Sequence, residues 1–194
     1  ADRAVIDPER DAMALITRKL RLAIETRVVG KLLSPSVLTN NGAAAEAWNA
    51  ESGVDIEGDI DTARLSVRRK AGVEPNTIVI PPHIAVAAKK DGQIRELVKY
   101  TDSTLLVSGE LPPRLFGLDV VIPLALFDEA QPGVAAQSLD FAWDANSVLV
   151  CYVEREIPSK RSLSLAYQFR RPIAGTLDVA AYRYRDEGRH ATVV

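Results

Sequence analysis

The stretch DPERDAMALITRKLRLAIETRVVGKLL, from Asp7 to Leu33, predicts one long helix. Asp7 is a candidate N-cap, and Pro8 follows at the first helical position, where its missing N–H costs nothing. Glu9 lies in the first turn, where a negative charge suits the helix dipole. The next proline is Pro35, so good helix formers continue without a break. At about 1.5 Å per residue the helix would be roughly 40 Å long, well above the globular average.

Two apolar stripes run along this predicted helix at intervals of three and four residues. The first consists of Met13, Ile16, Leu20 and Ile24, and the second, almost opposite, of Leu15, Leu22, Val29 and Leu33. Arg18, Arg21 and Glu25 fill a polar wedge between the stripes. The pattern favours a spine helix that packs on its own sheet and also meets a neighbouring subunit, with the central helix of an ordinary domain as the alternative. Arg27 and Lys31 interrupt the seams, which disfavours a coiled coil.

The composition is that of a globular protein. The 194 residues are 47% hydrophobic and 26% charged, with a formal net charge of −2. This charge argues against a chain built to coat nucleic acid, although it allows a local basic patch. The sequence has no apolar run long enough to span a bilayer and no visible signal peptide. Because it begins with Ala and not Met, we expect a processed product, a fragment or a trimmed chain.

The only cysteine is Cys151, in the apolar run SVLVCYV. A single cysteine in such a run is typical of a small core residue, in preference to a reactive thiol. Disulfides therefore play no part in the predicted fold, and a reducing compartment is expected.

Helices and strands alternate along the middle of the chain, which indicates a mixed α/β protein. The predicted elements are a loop over Ser34–Gly58, a helix over Asp59–Ala71 capped by Gly72, a buried strand over Thr77–Ile80, helices over His83–Lys90 and Gln93–Tyr100, and a short helix over Leu111–Phe116. Later elements are strands over Leu105–Val107, Leu118–Ile122, Ser147–Val153, Leu163–Phe169, Thr176–Arg185 and Ala191–Val194, and a loop over Asp128–Gln137.

Motifs that carry catalysis are missing from the sequence. It holds no GxxxxGK[ST], GxGxxG, HExxH, CxxC or GxSxG. Neither His83 nor His190 has a neighbour at metal-ligand spacing, so no zinc site is predicted. Four acidic residues stand at alternate positions in the loop that leads to the second helix: Asp55, Glu57, Asp59 and Asp61. Such a run can bind a divalent cation, but more often it is a solvated helix entrance. We predict no catalytic, cofactor-binding or metal-binding residues, and a protein that is not an enzyme.

A series of blocks gives the chain a family resemblance. Trp48 is followed by an acidic helix, EPNTIVI (74–80), IRELVKYTD (94–102), LPPRLFGLDVVI (111–122), SVLVCYV (147–153) and SLSLAYQF (162–169). In this order the blocks resemble the major capsid proteins of tailed bacteriophages, which have the Hong Kong 97-type capsid fold. SLSLAYQF departs from the family because it lacks the glycine and the aromatic-Thr pair of the commoner strand. Almost nothing precedes Asp7, so the N-terminal arm and extended loop of the family are expected to be missing. Some family members crosslink their subunits through a Lys–Asn isopeptide bond, and we assign no residues of this sequence to such a bond.

The resemblance implies an α+β capsid subunit, encoded by a phage or prophage, with a peripheral lobe and an axial lobe. The lobes would comprise residues 1–58 with the spine, 59–162 as the axial lobe, and 163–194 as strands returning to the periphery. The implied function is self-assembly into hexamers and pentamers of an icosahedral shell enclosing phage DNA. The implied partners are other copies, scaffold, portal and non-specifically bound DNA, without a membrane or cofactor, in a virion assembled in the bacterial host cytoplasm.

Five charged residues are the predicted subunit-interface candidates: Arg18, Arg21, Glu25, Arg68 and Arg69. For Arg68 and Arg69 the alternative is that cations in a last helical turn simply stabilise the dipole. Two other functions stay open, a capsid-like cellular nanocompartment shell and a small α/β enzyme or ligand-binding domain. An enzyme site would lie at strand ends and draw on Asp119, Asp128, Glu129 and His83.

Overall fold

The structure is a computed structural model, and it describes residues 8–50, 54–101, 111–128, 138–144, 146–156, 159, 161–169, 184–186, 188 and 191–193. The fold is mixed α+β. Its helices are α1 (Pro8–Leu32), α2 (Ile56–Ala71), α3 (Pro82–Ala88) and α4 (Gly92–Thr101). Its strands are β1 (Thr77–Val79), β2 (Arg114–Leu115), β3 (Leu118–Val121), β4 (Leu126–Asp128), β5 (Leu139–Phe141), β6 (Leu149–Cys151), β7 (Tyr184–Asp186) and β8 (Ala191–Val193).

Four of the five predicted helices are confirmed in type and place. The predicted N-cap of α1, Asp7, lies outside the described residues. Helix α2 begins at Ile56, three residues before the predicted start, because Asp55 caps it by accepting a hydrogen bond from Gly58 N at 3.0 Å. The predicted lobe boundary at 58/59 therefore falls inside α2. At the other end Gly72 adopts the left-handed conformation with φ of 71°, as predicted for its C-terminal cap.

A four-stranded sheet in the order β2-β3-β1-β6 forms the centre of the fold. Strand β1 runs parallel to β3 and antiparallel to β6, so it has a partner on each side. Ile78 faces a core formed with α2, α3 and α4, whereas Val79 faces a second cluster with Val29 and Trp143. The prediction of a strand covered on both faces is thereby confirmed, and the C-terminal end of α1 is one of the elements that cover it.

The prediction of a short helix over Leu111–Phe116 is wrong. Arg114–Leu115 is a strand, and Phe116-Gly117 is a two-residue hairpin turn that leads into β3. Both turn residues have positive φ, 49° at Phe116 and 82° at Gly117, as a type I′ turn requires. The preceding Pro112-Pro113 pair has no N–H to donate to a helix, which favours the extended course.

The prediction of a strand over Leu163–Phe169 is also wrong. The segment runs beside the end of β6, with one backbone hydrogen bond from Leu165 N to Tyr152 O at 2.9 Å. The structure assigns no strand to 163–169, and Phe169 is 74% exposed. The alternating pattern defined two faces, but neither a partner strand along its length nor a core covers it.

Two predicted elements can be followed only in part. The loop over Asp128–Gln137 begins where β4 ends, and β4 pairs with β5 in an antiparallel hairpin that the sequence had not predicted. The predicted strand over Thr176–Arg185 overlaps β7, which pairs with β8. Residues 102–110, 129–137, 157–158, 170–183 and 189–190 lie outside the described residues, and so do the predicted strand Leu105–Val107, Glu129 and His190.

Candidate subunit interface

The predicted charged wedge of α1 lies at its surface. Arg18 and Arg21 are exposed, and Glu25 is half-buried. Arg68 and Arg69 are exposed in the last turn of α2, where Arg68 Nε forms an ion pair with Glu74. The first three residues lie on α1 and the last two on α2. Helix α1 packs against β4, whereas α2 packs against β6. The five predicted residues therefore mark two surface regions and do not form one described cluster.

The first apolar stripe of α1 faces away from the core. Its five members are between 38% and 46% exposed, and they are Met13, Ile16, Leu20, Ile24 and Val28. Val28 extends by one turn the stripe that the sequence predicted. On the opposite side of the helix Val29 is only 3% exposed and packs with Val79 and Trp143. The helix thus buries its C-terminal end on the sheet and presents a continuous apolar face outward; we call these five residues the α1 stripe.

A second exposed apolar surface lies on the β4–β5 hairpin. It comprises Leu126 and Leu139, which the strand register places on one side of the hairpin, together with the exposed Ile122 and Leu124 in the segment that leads into β4. We call these four residues the hairpin face, in which Leu124 is 72% exposed and Leu139 is 61% exposed. Phe127 alternates with Leu126 along β4 and lines an open depression together with Leu22 and Ala23 of α1.

The sequence analysis missed the hairpin face, although a signal for it was available. Residues 120–127, VVIPLALF, form an uncharged apolar run of eight. Such a run is normally buried, because a contiguous apolar surface in water marks an interaction site or an aggregation liability. Its exposure follows from the tertiary structure, since only Phe127 is turned toward α1.

The residues considered for an enzyme site are engaged elsewhere. The Asp119 carboxylate accepts from Arg114 Nε at 3.0 Å and pairs with Arg155. The exposed His83 ring meets Phe141 edge-on, with ring centroids 5.1 Å apart. Asp128 lies at the end of β4, in register with Leu139. Among the described residues, Asp119, His83 and Asp128 therefore have separate partners and do not form a catalytic site together. An open depression near α1 is lined by Lys19, Leu22, Ala23, Thr26, Arg27 and Phe127.

The acidic residues at the entrance of α2 serve the fold. The backbone N–H of Gly58 and the amide of Gln93 hold the pKa of Asp55 below its usual value. Asp59 accepts a hydrogen bond from Trp48 Nε1 at 2.8 Å, which ties the preceding loop to the helix. Asp61 lies 3.6 Å from Arg64. Among the described residues no group of three or more His, Cys, Asp or Glu is placed to hold a metal ion.

Two further observations concern the thiol and the membrane. Cys151 is buried, and burial raises its pKa to about 11, so the thiol is protonated at neutral pH, as expected for a core cysteine. Within the described part of the chain no helix combines the length and the apolar character needed to cross a bilayer.

A mixed α+β subunit with a long surface helix and two exposed apolar faces has the character of a structural, self-associating protein. The chain belongs to the phage capsid protein family, whose model matches residues 2–184. The family is one of structural proteins of the bacteriophage capsid, and it implies a place in the virion.

Among solved structures, a phage-related protein from Bordetella bronchiseptica RB50 has a similar fold, with a TM-score of 0.63 and 22% sequence identity. The match covers 84% of this chain and 52% of that chain, so the chain spans about half the length of this relative. At this identity the likeness shows the fold alone. None of the curated proteins matches the chain.

Proposed function

We propose that the chain is the major capsid protein of a tailed phage or prophage, with the Hong Kong 97-type fold, and that it assembles into hexamers and pentamers of an icosahedral shell enclosing phage DNA. One observation carries the proposal. Among the described residues, 18 large hydrophobic side chains are exposed, against 15 hydrophobic residues that are buried. A protein that works alone rarely presents so much apolar surface, whereas a closed symmetric assembly covers it with its own copies.

The proposal includes the division into lobes. Residues 59–162 contain the central sheet and form the axial lobe, with the start of α2 included because the helix begins at Ile56. The spine and residues 163–194 form the peripheral lobe. Assembly takes place in the bacterial host cytoplasm, with scaffold and portal as further partners. Contact with packaged DNA is weak and non-specific, which fits a chain with a net charge of −2.

The experiment is mass photometry with negative-stain imaging on the longest natural version of this chain. Closed particles or hexamer-sized rings support the shell. A strict monomer or dimer of the full-length protein contradicts it and favours a binding domain or enzyme. A particle that packs a specific enzyme cargo and no DNA would identify a nanocompartment shell.

The charged wedge gives a second test of the same proposal. We expect charge reversal at Arg18 or Arg21 to disturb assembly more than folding, because both side chains are exposed on α1. The measurement compares particle yield with the thermal unfolding midpoint. The matched control is Arg95→Glu on α4, which is exposed but outside the predicted interface. Normal particles at normal yield from the Arg18 and Arg21 variants would remove the wedge from the interface.

A further inference from the structure

The two halves of α1 differ in how much the rest of the subunit packs on them. Over residues 10–21 every side chain is exposed except Thr17, which is half-buried. Residues 22–32 include four half-buried side chains and the buried Val29, and Phe127 lies beside them. We call residues 10–21 the unsupported half and residues 22–32 the supported half. Only the supported half is held in place by the subunit's own core.

The unsupported half exposes apolar side chains on two sides. Met13, Ile16 and Leu20 of the α1 stripe are between 42% and 46% exposed. Leu15, which belongs to the second stripe, is 55% exposed. Most of the stability of a helix in a protein comes from packing of its apolar face against other elements. This half of α1 therefore lacks the contribution that normally keeps a helix folded.

The local contributions that remain are small. An isolated helix shorter than about 12–15 residues is only marginally stable in water. The supported half provides a nucleus, so the unsupported half only has to extend it, and each added residue does so with an equilibrium constant of about one. Arg18 and Arg21 are three positions apart, and like charges at this spacing disfavour the helix. In a subunit alone, the helical and unwound forms of this half therefore have similar free energies.

From these observations we infer that residues 10–21 unwind readily in the free subunit and become a stable helix when another copy packs on them in the shell. The second part of the inference rests on the proposed function, whereas the first part concerns the subunit alone. A contact that has to order its own helix is weaker than the same contact made by a preformed helix. Ordering of α1 thereby limits how tightly each copy binds the next.

The first experiment is hydrogen exchange with mass spectrometry on wild-type free subunits and on assembled particles. In free subunits we expect the amides of residues 10–21 to be protected less than about tenfold, and those of α2 to be protected far more strongly. In particles the protection of residues 10–21 should rise more than about tenfold, while α2 changes little. Strong protection in free subunits would overturn the inference, and so would weak protection in particles. If no particles form, the shell and the ordering step both fail, and exchange in the free subunit still decides the first part.

The second experiment compares Ala14→Gly in the unsupported half with Ala23→Gly in the supported half. Both alanines are exposed, so neither substitution removes a buried side chain. Glycine lowers the helix equilibrium constant roughly fourfold relative to alanine. We expect Ala14→Gly to leave the thermal midpoint of the free subunit unchanged and to raise the concentration needed for assembly roughly fourfold. Ala23→Gly should lower the midpoint. An equal loss of midpoint in both variants would show that residues 10–21 are already folded in the free subunit.

Discussion

The side chain of Asn76 is hydrogen-bonded to both backbone groups of Val153, 77 positions further along the chain. Asn76 Nδ2 donates to Val153 O at 2.8 Å, and Val153 N donates to Asn76 Oδ1 at 2.9 Å. The backbone of Asn76 adds bonds to Cys151 O at 3.1 Å and from Asp119 N at 2.8 Å. One residue of the EPN sequence therefore joins the start of β1 to β3 and to the segment after β6.

We expect Asn76→Ala to lower the free energy of unfolding by about 1–3 kcal/mol, because it removes both side-chain bonds to Val153. Asn76→Asp keeps the oxygen that accepts from Val153 N but loses the amide that donates to Val153 O, so comparison of the two variants separates the two bonds. The control is Asn41→Ala, which removes one long, exposed bond of 3.5 Å. The measurement is the denaturant midpoint. Equal midpoints for the variants at positions 76 and 41 would contradict the role given to Asn76.

Arg64 connects helix α2, the segment before β1 and the turn between β2 and β3. Its Nε and Nη2 donate to Glu74 Oε1 at 3.0 and 2.6 Å, and its Nη1 donates to Phe116 O at 3.3 Å. Arg64→Lys keeps the charge but loses the fork geometry, so we expect a loss of about 1–2 kcal/mol after allowance for partial exposure. Arg69→Lys, on the exposed side of the same helix, is the control. Thermal unfolding that shifts equally in both variants would show that geometry at Arg64 is unimportant.

Two glycines should respond oppositely to alanine. Gly117 has φ of 82°, where a Cβ is strained although nothing lies within 4 Å of it. Gly117→Ala should therefore destabilise the protein by about 1–2 kcal/mol through the backbone alone. Gly30 lies inside α1 with the same open space, so Gly30→Ala should stabilise by about 0.5–1 kcal/mol. Denaturation curves that shift in the same direction would refute this pair.

The cap of α2 should make stability depend on pH at the acidic end. The Gly58 N–H and the Gln93 amide lower the pKa of Asp55 in the folded state. Its contribution is therefore fully present above the unfolded value of 3.8 and is lost as the pH falls through the lower folded pKa. Asp55→Asn retains a cap that does not titrate. We expect its melting temperature to lie below that of wild type at pH 7 and to converge with it as the pH falls through the lowered pKa of Asp55, below 3.8. Parallel pH curves would refute the linkage.

Cys151 should react only when the protein unfolds. With a pKa of about 11 in place of 9.0, its thiolate fraction at pH 8 is about 100-fold smaller than that of a free thiol. Burial blocks access in addition. We expect iodoacetamide to label wild type slowly in buffer and rapidly in denaturant, and mass spectrometry measures both rates. Rapid labelling of the native protein would mean that β6 opens readily.

The elements that the sequence predicted well have strong local signals. Helix α1 has Pro8 at its start and 3–4 spacing, and α2 has Gly72 at its end. The β-branched run of β1 predicted burial on both faces, which the structure confirms. These signals depend on nearby residues, so they can be recognised without the tertiary structure.

The elements that were missed depend on tertiary context. Phe116 occupies a turn position that normally takes Asn or Gly, because its ring packs in the core and its carbonyl accepts from Arg64. The alternation of apolar and polar residues over 163–169 predicted which side chains share a face, but it could not show that the segment has no partner strand along its length. The α1 stripe could be read from spacing, whereas the hairpin face required knowledge that β4 turns only Phe127 inward.

The position of β1 between β3 and β6 has a consequence for the timing of folding. The sheet needs strands from three distant parts of the chain, and the last, β6, is made about 120 residues after α1. At bacterial rates of synthesis that interval is roughly 10 s, during which α1 has no completed sheet to pack on. Formation of the sheet is then a late, non-local step, which slows folding. Translation order thus leaves Val29 of α1 without its packing partners Val79 and Trp143 until residue 143 has been made.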